Sequence, residues 1–215
     1  MFRRFADYCR RTKAPVNLLM VFINIAVFIV LEFLGNTEDA NFMALHGAMW
    51  PPLVIYGGEW YTLFTSMFLH FGFYHLFNNM LVLFFLGDNL ERAVGHFKYL
   101  LIYIFGGLAG NGLSLFLAMR GNIYGVAVSA GASGAIFAMI GALAYVVLVN
   151  GGRLEDMTSG RLMFLIFFSL YHGFTSAGVD NAAHVGGLVA GVLLAMLLYR
   201  RKRRINYEPG GNYYA

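Results

Sequence analysis

Six stretches of mostly apolar residues follow one another along this chain, near 17–34, 66–87, 98–118, 129–149, 161–178 and 182–199. About 20 such residues are what an α-helix needs to cross the hydrocarbon core of a bilayer. A helix also satisfies its own backbone hydrogen bonds where no water is present to do so. The sequence therefore reads as an all-α polytopic membrane protein with six transmembrane helices. Composition agrees: 59% of the residues are hydrophobic and 12% charged, against about 25% charged in an ordinary soluble domain. The second and fifth stretches are interrupted by histidine, asparagine and glycine, so hydropathy alone ranks them lower.

The basic residues orient the chain. Arg3, Arg4, Arg10, Arg11 and Lys13 precede the first span, and Arg200, Arg201, Lys202, Arg203 and Arg204 follow the last. Arg92 and Lys98 lie at the turn between spans 2 and 3, and Arg153 and Arg161 between spans 4 and 5. In a six-span topology all of these fall on one side, and only Arg120 falls on the other. By the positive-inside rule both termini are cytoplasmic. Two cytoplasmic ends require an even number of spans, which is an independent argument for six. The net charge of +4 is thus a topology signal. The basic residues sit at the ends rather than along one face, which argues against nucleic acid as a partner.

The chain divides into a basic cytoplasmic arm (1–16), a membrane domain (17–199) and a basic tail (200–215). The run from Asn17 lacks a small-residue cleavage site after it and reads as an uncleaved first span. Between spans 1 and 2, residues 35–65 are too short and mixed for a domain. "MWPPLVIYGGEWY" there, with paired prolines, paired glycines and two tryptophans, suits a long interfacial loop at the headgroup level. The single cysteine, Cys9, excludes an internal disulfide framework and a multi-cysteine metal site.

Spans 2, 4 and 6 enter from the outside, so their polar residues can be placed by depth at about 1.5 Å per residue. Ser133 falls about one turn into span 4, and His184 less than a turn into span 6. His70, His75 and Asn79 run down the first half of span 2, with His70 at the top. Taken singly, each has a plain reading. Ser133 in "VSAGASGAIF" can be a packing serine among Gly131 and Gly134, while Ser129 sits at the mouth of the span with no histidine at its depth. His184 can be an interfacial histidine bonded to a loop. His75 and Asn79, four apart on one face, can form an interhelical hydrogen bond. His70 and His75 are five apart and do not share a face for one metal. His46, His96 and His172 receive no role. Taken together, a serine, a histidine at matching depth, and His and Asn donors on a third helix are a kit for acyl transfer. Asp180 is near His184 but in the loop just before it, so no third member is obvious and the kit is a Ser–His dyad.

At these residues the sequence resembles the rhomboid family of intramembrane serine proteases, over about 17–199. "GASGAIFA" is similar to the family's G-x-S-G motif, which places the nucleophile on Ser133. "AAHVGGLVAG" resembles A-H-x-x-G-x-x-x-G, which places the general base on His184. "HFGFYHLFNN" matches H-x4-H-x3-N, which implies His75 and Asn79 as oxyanion donors and His70 as a structural, loop-side residue. "GDNLERAVGHFKYLLIY" resembles the E-R-x-x-G segment, with Glu91, Arg92 and Gly95 in structural roles. The resemblance implies a six-helix rhomboid bundle and a serine-type endopeptidase acting on transmembrane protein substrates within the lipid bilayer. It also implies small residues at the cleaved position and no metal or cofactor. With the topology above, it implies the plasma (inner) membrane of a bacterium and an active site opening to the extracytoplasmic side.

Two positions depart from the family pattern. Where members often carry Trp-Arg in the first loop, this chain has Trp60–Tyr61. Four residues after the nucleophile, some members have tyrosine where this chain has Phe137, which can still stack on the imidazole of His184 but offers no hydroxyl. Gly187 and Gly191 form a small-x3-small stripe expected to let span 6 approach span 4 closely. Two other functions compete. A catalytically inactive rhomboid-like protein that binds membrane clients would lack the nucleophile or the base. A small transporter would favour inverted repeats and broken helices in both halves. A metalloprotease is disfavoured because H-E-x-x-H is absent.

Overall fold

A computed structural model describes residues 13–154, 157–175 and 178–201, and for 169–175 only the course of the backbone. The arginines of the N-terminal arm, Cys9, the tail from Lys202 and the side chain of His172 lie outside the described residues.

The described chain is overwhelmingly helical. Helix α1 spans Pro15–Leu34, followed by three short helices, α2 (Ala40–Leu45), α3 (Pro51–Gly57) and α4 (Thr62–Thr65). A 3₁₀ turn over Ser66–Phe68 precedes α5 (Gly72–Val94), and then come α6 (His96–Arg120) and α7 (Ser133–Val149). A two-residue ladder pairs β1 (Arg153–Leu154) with β2 (Met157–Thr158), before α8 (Ser159–Thr175) and α9 (Asn181–Leu198). Among the described residues α1, α6 and α9 are long and apolar enough to cross a membrane. The pair Thr62–Phe68 and α5, bent by 87°, makes a fourth if it counts as one broken span. Helices α7 and α8 are apolar but shorter, at 17 residues each.

Several expected boundaries move. The second span does not run unbroken from 66, because helix geometry stops at Phe68 and resumes at Gly72. Leu69 is extended, and Gly72 takes a φ of +70° that favours glycine. His70 therefore lies in the break and not at the top of a helix. The fourth span starts at Ser133 and not near 129. Ser133 is thus the first residue of its helix rather than one turn inside it. The 35–65 segment is also more ordered than a plain loop. Met43, Ala48, Leu31 and Leu69 form one small core there, and Met49 and Val54 pack with Leu115 of α6 in another.

Helix α7 is the axis of the molecule. From Gly134 to Leu143 every residue is buried, as expected for a helix apolar all round and enclosed by others. Its most extensive contacts are with α9 and α6, which also pack on each other. Glycine makes that approach possible. A Cβ at Gly187 would run into the carbonyl oxygen of Gly134, and one at Gly191 into that of Ala138. Gly141 faces the Leu188 carbonyl, Gly106 faces Ala138, and Gly110 lies where a Cβ would come within 2.6 Å of the Ala183 carbonyl oxygen. Outward faces carry large exposed apolar side chains, among them Phe33, Phe85, Phe105, Phe164 and Leu197. Apolar surface on this scale is what lipid contact requires.

At the end of α5 remote from His75, the buried carboxylate of Glu91 closes the start of α1. It accepts from the amides of Val16 (3.0 Å) and Asn17 (2.6 Å) and meets His96 Nδ1 at 2.5 Å. Asn17 in turn accepts from Tyr99 Oη at 2.7 Å. Gly95, with φ +90°, separates α5 from α6.

Candidate active site

The segment leading into α7 is held in place before the helix begins. Ser129 pairs with Met49 through two backbone hydrogen bonds of 2.8 and 2.9 Å. The Gly131 amide donates to the Ser66 carbonyl at 2.9 Å, and the Ala132 amide donates to His70 Nε2 at 3.3 Å. His70 is fully buried. These bonds tie residues 129–132 to the 35–71 region, so the chain enters α7 abruptly and Ser133 occupies the first helical position. No side chain caps this terminus. A helix start carries amides without intrahelical acceptors and the positive end of the helix dipole.

Helix α9 starts beside it. Asp180 caps α9 by accepting from the Ala183 amide at 2.9 Å, and His184 sits in the first turn, buried. Its Nε2 lies 2.9 Å from Ser133 Oγ. With the Ser133 hydroxyl donating to Nε2, the ring's own proton is on Nδ1. Nδ1 has no hydrogen-bond partner among the described residues. One face of the imidazole is covered by Phe137, with ring centroids 4.2 Å apart and planes 16° from parallel.

His75 and Asn79 lie one turn apart on α5, and His75 faces the segment before Ser133. The Phe71 amide donates to His75 Nδ1 at 3.3 Å, which leaves the proton of the neutral ring on Nε2, a donor. That edge faces Gly131: a Cβ there would lie 3.0 Å from His75 Nε2 and 3.7 Å from Ser133 Oγ. Gly131, at φ +137°, therefore keeps open the space between His75 and Ser133. It is a loop residue here, not the helix-packing glycine expected. Asn79 is buried and donates one N–H to the His75 carbonyl at 3.1 Å, leaving its second N–H. His70 and His75 stand edge to face, 5.2 Å apart.

Some of the surroundings had no signal in the sequence. The Ser129 hydroxyl, which has no histidine beside it, donates to Asp180 Oδ2 at 2.8 Å. Ser114 of α6 donates to the same oxygen at 2.6 Å. Asn111 ties α6 to the Leu63 carbonyl (2.8 Å) and to Ser66 Oγ (3.0 Å). Trp60 and Tyr61 are exposed, and Tyr61 Oη reaches Glu59 at 3.4 Å. The arrangement has a hydroxyl on a base, an aromatic wall, a histidine N–H edge across Gly131 and the amides of a helix start. That is what acyl transfer through a serine ester needs.

Comparison with known proteins places these elements in a family. The rhomboid domain model matches residues 57–201. The chain is 34% identical over 186 residues to Rhomboid protease GluP of Bacillus subtilis (strain 168), covering 86% of this chain and 35% of that protein. It is 34% identical over 218 residues to Rhomboid protease AarA of Providencia stuartii, covering 88% of this chain and 75% of that one. It is also 34% identical over 157 residues to RHOMBOID-like protein 1 of Arabidopsis thaliana, covering 72% of this chain and 39% of the plant protein. The chain thus spans about a third of GluP and about three quarters of AarA. It belongs to the rhomboid family and is an integral membrane protein.

Proposed function

We propose that this chain is an intramembrane serine endopeptidase that hydrolyses peptide bonds in or next to the transmembrane segments of other membrane proteins. The observation that carries this reading is the 2.9 Å contact between Ser133 Oγ and His184 Nε2, made between two helices whose glycines permit their close approach. In the mechanism, Ser133 Oγ attacks the scissile carbonyl as His184 Nε2 takes its proton. The tetrahedral oxyanion is held by the Ser133 amide at the helix start, His75 Nε2–H and Asn79. His184 then returns the proton to the departing amine, leaving an acyl ester on Ser133. Water, deprotonated by the same imidazole, hydrolyses the ester and restores the dyad. A substrate helix must unwind locally, because a helical peptide bond is already hydrogen-bonded and shielded.

The same reading assigns six spans to the membrane domain, 17–199, with α5, α7 and α9 descending from the extracytoplasmic side and both the arm (1–16) and the tail (200–215) in the cytoplasm. A bacterial plasma membrane is the setting. An inactive client-binding relative would lack one member of the dyad, whereas Ser133 and His184 are both present and bonded. The test is reconstitution with a generic transmembrane substrate, comparing wild type with Ser133→Ala and His184→Ala, and labelling with a fluorophosphonate. Cleavage lost in both variants and a label on Ser133 are expected. Cleavage undiminished by Ser133→Ala would overturn the reading.

A further inference from the structure

Asp180 is outside the dyad, and its carboxylate is bonded from three directions. Oδ1 accepts from the Ala183 amide at 2.9 Å, fixing the first turn of α9 one residue before His184. Oδ2 accepts from Ser129 Oγ at 2.8 Å, four residues before the nucleophile, and from Ser114 Oγ on α6 at 2.6 Å. The His184 amide also donates to the Asp180 carbonyl at 3.2 Å. One residue thus joins the segment that delivers Ser133, the helix that delivers His184 and the helix that packs against both.

Apolar packing does not close this end of the bundle. A cavity of about 430 Å³ lies between the end of α6, residues 126–129 and residues 178–182, with Ser114, Ser129 and Asp180 in its wall. There the bonds of Asp180 to Ser114, Ser129 and the Ala183 amide bridge the segments beside the space. Nor does Asp180 serve as a third catalytic member, because His184 Nδ1 has no partner among the described residues.

We infer that Asp180 is a positioning residue for the dyad: through Ser129 and the Ala183 amide, its carboxylate sets the register of Ser133 against His184. The inference rests on the serine-protease reading above. Its charge-assisted bonds are of the stronger kind, and a displacement of about 1 Å between reacting groups costs on the order of 100-fold in rate.

The test uses the full chain in liposomes with a transmembrane substrate. kcat is normalised to the fraction of molecules whose Ser133 is titrated to completion by a fluorophosphonate. A purely structural role lowers that fraction and leaves the normalised kcat unchanged. Asp180→Ala is expected to lower the normalised kcat by about 10- to 100-fold with KM within about threefold of wild type. Asp180→Asn, which keeps an acceptor for the Ala183 amide and a polar partner for the hydroxyls, is expected to recover most of the loss. Ser129→Ala, with Asp180 intact, is expected to lose about 3- to 10-fold and carries the test if Asp180→Ala does not fold. A normalised kcat within twofold of wild type in Asp180→Ala, or in both Ser129→Ala and Ser114→Ala, overturns the inference while leaving a Ser133-dependent protease in place. Cleavage that survives Ser133→Ala overturns the underlying reading, and this inference with it.

Discussion

The ring of Phe137 lies flat against the imidazole of His184, 4.2 Å between centroids and 16° from parallel. Phe137 is on α7, four residues after Ser133, so one turn of helix carries both the hydroxyl that the imidazole bonds and the wall that holds it. The wall fixes the plane of the imidazole, and the hydroxyl fixes its rotation. A stacked pair of this kind contributes about 0.5–1.5 kcal/mol beyond burial, or roughly 2- to 10-fold in rate if the restraint acts in the transition state. Phe137→Leu is expected to lose activity in that range, and Phe137→Tyr to keep it, in steady-state cleavage of a reconstituted substrate. Full activity in Phe137→Leu would mean that the ring is restrained by something else.

His75 faces the space beside Ser133 with a protonated Nε2, because its Nδ1 is occupied by the Phe71 amide. Loss of one oxyanion donor costs about 100- to 1000-fold in kcat. His75→Ala and Asn79→Ala should each approach that loss with little change in KM. Gly131→Ala should be as damaging without removing any donor, since its methyl would come within 2.8 Å of His75 Cε1 at a φ of +137°. Steady-state kinetics of the three variants check this. A Gly131→Ala enzyme at the wild-type rate would show that the space is not used.

Gly187 touches the backbone of α7, and backbone cannot move aside as a side chain can. Even Gly187→Ala places a methyl on the Gly134 carbonyl oxygen, one residue from Ser133. Overpacking of this sort costs about 1–3 kcal/mol. The expected outcome is a lower unfolding temperature in detergent and a larger fall in cleavage, because α9 must shift away from Ser133. Gly187→Val should be worse on both measures. Unchanged activity in Gly187→Val would count against close packing of the two helices.

Glu91 acts far from the chemistry. Its buried carboxylate is the acceptor for two amides at the start of α1. Glu91→Ala would strand both, at about 1–3 kcal/mol for each buried group left unbonded. A marked loss of thermal stability is expected, with kcat per correctly folded molecule preserved. Glu91→Gln retains one acceptor oxygen and should fall between the two. Equal stability of Glu91→Ala and wild type, measured by thermal unfolding in detergent, would show that α1 starts without this cap.

Much of the architecture was legible from the order of apolar runs, because lipid-facing and buried helix surfaces are both apolar and runs of that length report themselves. The glycine stripe at Gly187 and Gly191 was legible for the same reason: small residues at helical spacing mean a close neighbour. The start of α7 was not. "SAGA" at 129–132 is as compatible with helix as with an extended segment. What decides against helix there is the bonding of Ser129 to Met49, Gly131 to Ser66 and Ala132 to His70, with partners between 62 and 80 residues away in the chain. The bonds of Asp180 were hidden likewise, since its partners Ser114 and Ser129 lie 66 and 51 residues off.

The sequence by itself determined that this chain is an integral membrane protein and where its apolar runs lie, and it singled out Ser133 and His184. Only the tertiary structure decided that Ser133 begins its helix, that His184 reaches it at 2.9 Å, and that His70 bonds to Ala132 and Asp180 to Ser129 and Ala183 beside them. The division has a physical cause. Partition into lipid depends on the summed composition of a segment, which is local. A hydrogen bond between helices depends on distances of a few tenths of an ångström, and those exist only after the glycine contacts have closed.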